Sequence, residues 1–194
     1  MQESVQPHMK ADPKAPPIYI HGLEGGPQGT KGAFVTERFG GSGPDMPATR
    51  TGPHDDPPSC FEDCFALARD YVLARPASTL IGSSFGGAIT LALLQRGVWQ
   101  GPVVLLAPAG PLYGFHPSIP EGSHAIIIHD PSDEIVSYEG SELLTRGSPL
   151  RAELWPSDGG HRLHSIVSNG LFERAIKAQM ERAQAPLTPF MIRL

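Results

Sequence analysis

The chain has 194 residues with 40% hydrophobic and 18% charged side chains, enough apolar material for one domain with a packed core and too much for wholesale disorder. Its formal charge of −5 argues against a nucleic-acid surface, which would need clustered Lys and Arg. No apolar run approaches the ~18 residues that would span a bilayer, and the first seventeen residues lack the apolar stretch of a signal peptide.

Taken in chain order, residues 1–17 are polar and Pro-rich and are expected to form a flexible N-terminal arm, leaving 18–194 as a single domain. Ile18 to His21 reads as a buried strand ending at a Gly-rich loop, and a helix follows from Thr30 to Phe39, stopped by Gly40 and Gly41. Residues 45–58 hold at most a short strand near 48–51. Ser59 and Glu62 form a capping box that opens a helix to about Ala74, with Phe61, Phe65, Ala68 and Val72 inward. Then come a strand over 78–82, a helix over 86–96 and the apolar strands 102–107 and 124–129. A helix over 137–145, a short strand over 151–155 and a last helix over 171–183, capped by Asn169, complete the order. Apolar strands alternating with helices predict an α/β chain: three layers, α/β/α, around a mostly parallel sheet. The tail from Pro186 is apolar enough to pack on the body.

Gly82-Ser83-Ser84-Phe85-Gly86 has the pattern G-x-S-x-G between an apolar strand and a helix rich in small residues. A nucleophilic hydroxyl must project from a sharp strand-to-helix turn, where a Cβ two residues to either side would clash. Gly82 and Gly86 meet that need and make Ser84 the candidate nucleophile. The plain alternative is a structural turn in which Ser84 only caps the helix.

Serine needs a positioned imidazole to remove its proton. Of eight histidines, His161 follows the last strand and precedes the last helix, on the side where an α/β sheet keeps its ligands, and His164 is the runner-up. His8, His54, His116, His124 and His129 lie in the arm, in loops or at strand ends. The carboxylate that orients the base should fall between Ser84 and His161 in sequence. Asp133 in the loop after strand 124–129 fits, with Asp130 and Glu134 as alternatives, and a solvated acidic loop is the plain reading. The oxyanion donors are the Phe85 amide, supplied by the turn, and the Leu23 amide from the first loop. Gly22 allows that loop's close approach, and His21 holds it.

On these residues (His21-Gly22, Gly82-x-Ser84-x-Gly86, Asp133, His161) the chain resembles the α/β-hydrolase superfamily over about residues 18–183. Within it, the HG loop followed by Gly25-Gly26-Pro27-Gln28-Gly29-Thr30-Lys31 is similar to the small bacterial esterases of the YqiA type. The resemblance implies a serine hydrolase of carboxylic esters or thioesters with no metal or organic cofactor. Glu24 departs from what an oxyanion site wants, unless it points away or pairs with Lys31. The sixteen residues 108–123 are too few for a lid domain, which favours an open site and small acyl esters. Tyr113, Phe115 and Ile119, with Leu23, are candidates to line an acyl pocket or simply to cover the sheet edge.

Cys60 and Cys64 are too few for a disulfide scaffold and have no zinc-completing partners nearby, so the expected location is the cytoplasm. A small-molecule ester is the expected partner, and the chain is expected to be a monomer or a weak homo-oligomer. The competing function is a binding or regulatory protein that keeps the fold while turnover is irrelevant, since fold alone does not fix function.

Overall fold

The computed structural model describes residues 8–23, 25–47 and 57–184. The strands are β1 (Met9–Lys10), β2 (Ile18–Ile20), β3 (Leu80–Ser83), β4 (Trp99–Gln100), β5 (Pro102–Leu106), β6 (His124–His129) and β7 (Ala152–Pro156). The helices are α1 (Thr30–Phe39), α2 (Pro57–Leu73), α3 (Phe85–Gln95), α4 (Tyr138–Arg146) and α5 (Leu171–Gln184). Five strands form one parallel sheet in the order β2-β3-β5-β6-β7.

Successive strand residues point to opposite faces, so each apolar strand fills two cores at once. Ile18, Ile20, Val103, Leu105 and Ile127 pack with Phe61 and Val72 of α2 and Ala88 and Ile89 of α3, and Leu144 of α4 joins them. Tyr19, Val104, Ile126 and Ile128 pack on the other face with Val35 of α1 and Phe172 and Ile176 of α5. The expected three-layer α/β/α arrangement is therefore present. It places the C-terminal ends of β3, β6 and β7, with the loops that leave them, along one edge of the sheet, with β5 between β3 and β6.

Most element boundaries fall within two residues of expectation. Phe61, Phe65, Ala68 and Val72 do face inward, and Gly40 closes α1 in the left-handed conformation at φ 67°. Asn169 Oδ1 accepts the Leu171 N–H at 2.9 Å at the start of α5. The capping box is corrected: α2 begins at Pro57, two residues ahead of Ser59, so Ser59 lies inside the helix rather than at its cap. A Pro pair suits a first turn, because its missing N–H groups would have no helical partner there.

The arm also differs from expectation in its described part. Met9–Lys10 pairs in parallel with Trp99–Gln100, Asp12 N–H donates to Ala77 O at 2.8 Å, and Ala15 is buried. A two-residue strand without apolar alternation leaves no periodic signal to read. Residues 1–7, Glu24, the expected strand near 48–51 and the tail from Pro186 lie outside the described residues. No helix among the described residues is long and apolar enough to cross a membrane.

Candidate active site

Strand β3 hands the chain to α3 through Ser84, whose backbone sits at φ 53° and ψ −114°. A non-glycine residue adopts such a conformation only where its surroundings over-determine it, at a cost of about 1–3 kcal/mol. Here Ser84 N–H donates to Leu106 O at 2.8 Å, while Ser84 O accepts from Gly87 N at 2.9 Å and Ala109 N at 3.0 Å. The glycines on either side are forced by packing. A Cβ on Gly86 would meet the carbonyls of Ile20 and His21, and one on Gly82 would meet Gly86 O and the Thr90 hydroxyl. The turn is thus wedged against the end of β2.

Ser84 Oγ lies 2.8 Å from His161 Nε2, and His161 Nδ1 lies 2.8 Å from Asp133 Oδ2. The Asp133 side chain is wholly buried, whereas the His161 side chain is 21% exposed. A carboxylate can only accept, so Nδ1 carries the hydrogen and Nε2 offers a lone pair to the Ser84 hydroxyl. The structure therefore brings together the three residues singled out from the sequence, in an order of hydrogen bonds that can move a proton off Ser84.

Asp133 is held ionised against its burial. Desolvation works to raise its pKa. The Val136 N–H at 2.9 Å, the His161 imidazole and the Ile135 N–H at 2.8 Å together outweigh that and keep it below the ordinary carboxylate value.

The alternative acids stand elsewhere. Asp130 serves the backbone rather than the imidazole. Its Oδ1 accepts the Ser132 N–H and hydroxyl at 2.7 Å each, and its Oδ2 accepts the Gly160 N–H at 2.6 Å. These donors hold its carboxyl below the ordinary range. Asp130 thereby pins the loop one residue ahead of His161. Glu134 is exposed, as are His8, His116 and His164, and His54 lies outside the described residues.

The first loop is anchored from beneath. His21 is fully buried, its Nδ1–H donates to Gly22 O at 2.9 Å, and its Nε2 accepts the Met46 N–H at 3.0 Å. Burial, partly offset by Gly22 O and Asp45, lowers its pKa, so the ring stays neutral and uses both nitrogens for the loop. A Cβ on Gly22 would stand 3.2 Å from Ser84 Cβ, which sets the peptide leading to Leu23 against the nucleophile. Phe85 is the first residue of α3, where a backbone N–H has no partner within the helix. Lys31, beyond this loop, donates from Nζ to Arg162 O at 2.7 Å and so ties α1 to the His161 loop.

Four contacts here lay beyond the reach of sequence: the Asp130 pin, the Lys31 tie, the Ser132 support and a second histidine, His129, on Asp133. His129 Nε2 is 3.0 Å from the same Oδ2 that receives His161. The signal that could have drawn notice was its spacing, four residues before Asp133 at a strand end.

The expected acyl-pocket residues divide. Ile119 is fully buried in the core and lines nothing open. Tyr113 and Phe115 pack with Phe61, whose ring also stands 5.9 Å from that of Phe85 behind the nucleophile. Burial first, then the neighbouring Cys60 and Cys64, push the Tyr113 phenol up to about 12. Phe115 alone of the four borders an apolar groove of about 190 Å³ with Leu91, Pro111, Pro117, Leu143 and Leu144, and no triad candidate lines it.

No protein-family model matches the chain, nor does any curated protein. Solved structures do. A protein from Xanthomonas campestris pv. campestris, named for the alpha/beta hydrolase superfamily, is 22% identical over 88% of this chain and 97% of its own, with a TM-score of 0.65. Alpha/beta hydrolase domain-containing protein 10 from mouse is 18% identical over 85% and 89%, with a TM-score of 0.63. This chain has the α/β-hydrolase fold. Est1E from Butyrivibrio proteoclasticus shares it at 16% identity over 93% and 91%, with a TM-score of 0.64.

Proposed function

We propose that the protein is a serine hydrolase that cleaves carboxylic esters or thioesters of small acyl groups. The observation that carries this reading is the unbroken chain Ser84 Oγ, His161 Nε2, His161 Nδ1, Asp133 Oδ2, at 2.8 Å per hydrogen bond, on a strained strand-to-helix turn. A protein that only bound a ligand would have no need to hold a serine at φ 53° beneath an oriented imidazole.

In the reaction, Ser84 Oγ attacks the carbonyl carbon as His161 Nε2 takes its proton, and Asp133 stabilises the imidazolium. The carbonyl oxygen becomes an oxyanion held by the Leu23 and Phe85 amides, each worth about 3 kcal/mol, beside the positive end of α3. Collapse breaks the ester C–O bond, and the leaving alcohol takes the proton from His161. A water molecule, deprotonated by His161, then attacks the acyl-enzyme. The acid leaves and the proton returns to Ser84. Every proton here is carried by His161. The resemblance of the loop His21–Lys31 to that of the small YqiA-type esterases supports the ester reading.

The test is a panel of p-nitrophenyl esters of short to long acyl chains with the parent and Ser84→Ala. Turnover by the parent that falls at least a thousandfold in the variant is the expected result. A variant as active as the parent would overturn the assignment. A folded parent that turns over none of the esters and takes no fluorophosphonate on Ser84 would favour the binding-protein reading instead.

A further inference from the structure

His129 lies outside the hydrolytic scheme above, yet among the described residues it is more completely engaged than any other histidine. The side chain is fully buried at the end of β6. Its Nε2 is 3.0 Å from Asp133 Oδ2 and 3.2 Å from Val136 O, both acceptors only, so Nε2 carries a hydrogen. Its Nδ1 is 2.7 Å from the Ser141 hydroxyl of α4. Around the ring stand Asp133, Val136 O, Ser141 and, at 5.4 Å between centroids, Tyr138. Burial lowers its pKa despite the Asp133 carboxylate, so the neutral ring takes the Ser141 O–H at Nδ1.

This contact completes Asp133. An ionised carboxylate offers about four lone-pair sites. Ile135 N–H and Val136 N–H occupy Oδ1, while His161 and His129 share Oδ2. The result is a line of five side chains, Ser84, His161, Asp133, His129 and Ser141, running from the start of α3 to the buried face of α4.

We propose that His129 is a positioning residue of the active site, whose Nε2–H holds the Asp133 carboxylate in the orientation that receives His161, with the Ser141 hydroxyl steadying the ring from its Nδ1 side. The inference rests on the serine-hydrolase reading of the same site. A carboxylate fixed by backbone donors on one oxygen alone retains freedom to pivot about that oxygen. The buried donor on the other oxygen removes it.

Three variants test this. His129→Leu keeps the volume and removes the donor. His129→Gln carries an amide N–H at nearly the position of imidazole Nε2. Ser141→Ala leaves the ring and removes the hydrogen bond to its Nδ1. Each is measured for kcat and KM on p-nitrophenyl acetate, for the rate of Ser84 labelling by a fluorophosphonate, and for the low-field proton NMR line of His161 Nδ1–H.

The expected result is a loss of about tenfold or more in kcat and labelling rate for His129→Leu, with KM within twofold and the low-field line shifted or gone. His129→Gln recovers most of the rate and the line, and Ser141→Ala loses a few-fold in kcat. A folded His129→Leu within twofold of the parent, or a His129→Gln as impaired as His129→Leu, overturns the proposal. Should His129→Leu fail to fold, the other two decide it: parental kcat and an unmoved line in Ser141→Ala, or a tenfold loss in a folded His129→Gln, overturns it. The NMR line needs no substrate. A parent that never labels on Ser84 therefore refutes the hydrolase reading, whereas an unmoved line in His129→Leu refutes this one.

Discussion

Replacing Asp133 by Asn tests the geometry of the site with a change of one atom. The aspartate faces four donors: the Ile135 and Val136 N–H groups at 2.8 and 2.9 Å on Oδ1, and His161 and His129 at 2.8 and 3.0 Å on Oδ2. An asparagine must aim its NH2 at one of these pairs. Backbone amides cannot change their hydrogens, so the NH2 goes toward the histidines. His161 then accommodates it by moving its hydrogen to Nε2, where it faces Ser84 and can no longer accept the hydroxyl proton. His129 has no such remedy, because Val136 O still requires a hydrogen on Nε2.

The activity consequence of a wrong tautomer in such a triad is about 10⁴-fold, or ~5.5 kcal/mol of transition-state stabilisation. The introduced amide hydrogen that faces the His129 Nε2–H has no acceptor, which adds about 1–3 kcal/mol of lost stability. The assay is kcat/KM on p-nitrophenyl acetate, with urea denaturation alongside. A folded Asp133→Asn protein within tenfold of the parent would show that Asp133 does not govern the tautomer of His161, and the proton path drawn above would be wrong.

Three further outcomes are expected. Asp130→Ala should lower kcat tenfold or more while leaving KM near the parent value, because it frees the Gly160 N–H that pins the His161 loop; unchanged kcat would refute the pin. Ile127→Ala, in the middle of β6 with no exposed surface, should cost about 2–5 kcal/mol by denaturant unfolding, whereas Arg38→Ala at the exposed pair with Glu173 should cost less than about 1 kcal/mol. Stability should fall as pH drops from 7.5 to 5.5: burial holds His21, His124 and His129 below the ordinary histidine value, so the unfolded chain binds protons first. Asp130 and Asp133 stay ionised across that window, so a melting temperature that is flat or rises on acidification would contradict the neutral buried histidines.

The layers of this fold were legible in the chain because apolar strands and helical periods are local patterns. Val103 to Leu106 and Ile126 to Ile128 can only be buried on both faces, and Gly82 and Gly86 mark a turn that no side chain would fit. The candidate triad was legible for a related reason. The order serine, acid, histidine along the chain is dictated by which strand ends lie together in a parallel sheet, so Ser84, Asp133 and His161 could each be sought after a strand.

Contacts across the structure carry no such pattern. Asp130 and Asp133 are both acids after β6, and their division between pinning Gly160 and orienting His161 depends on which oxygen meets which N–H across 28 to 30 residues of chain. Ile119, a candidate either to line a pocket or to cover the sheet edge, is apolar in either role, and only the packing of its connector against the core decided between them. The two-residue pairing of β1 with β4 is likewise a meeting of distant segments. His129 is the sharpest instance: at a strand end it reads as an ordinary buried histidine, and only folding brings its Nε2–H to the oxygen that His161 also uses.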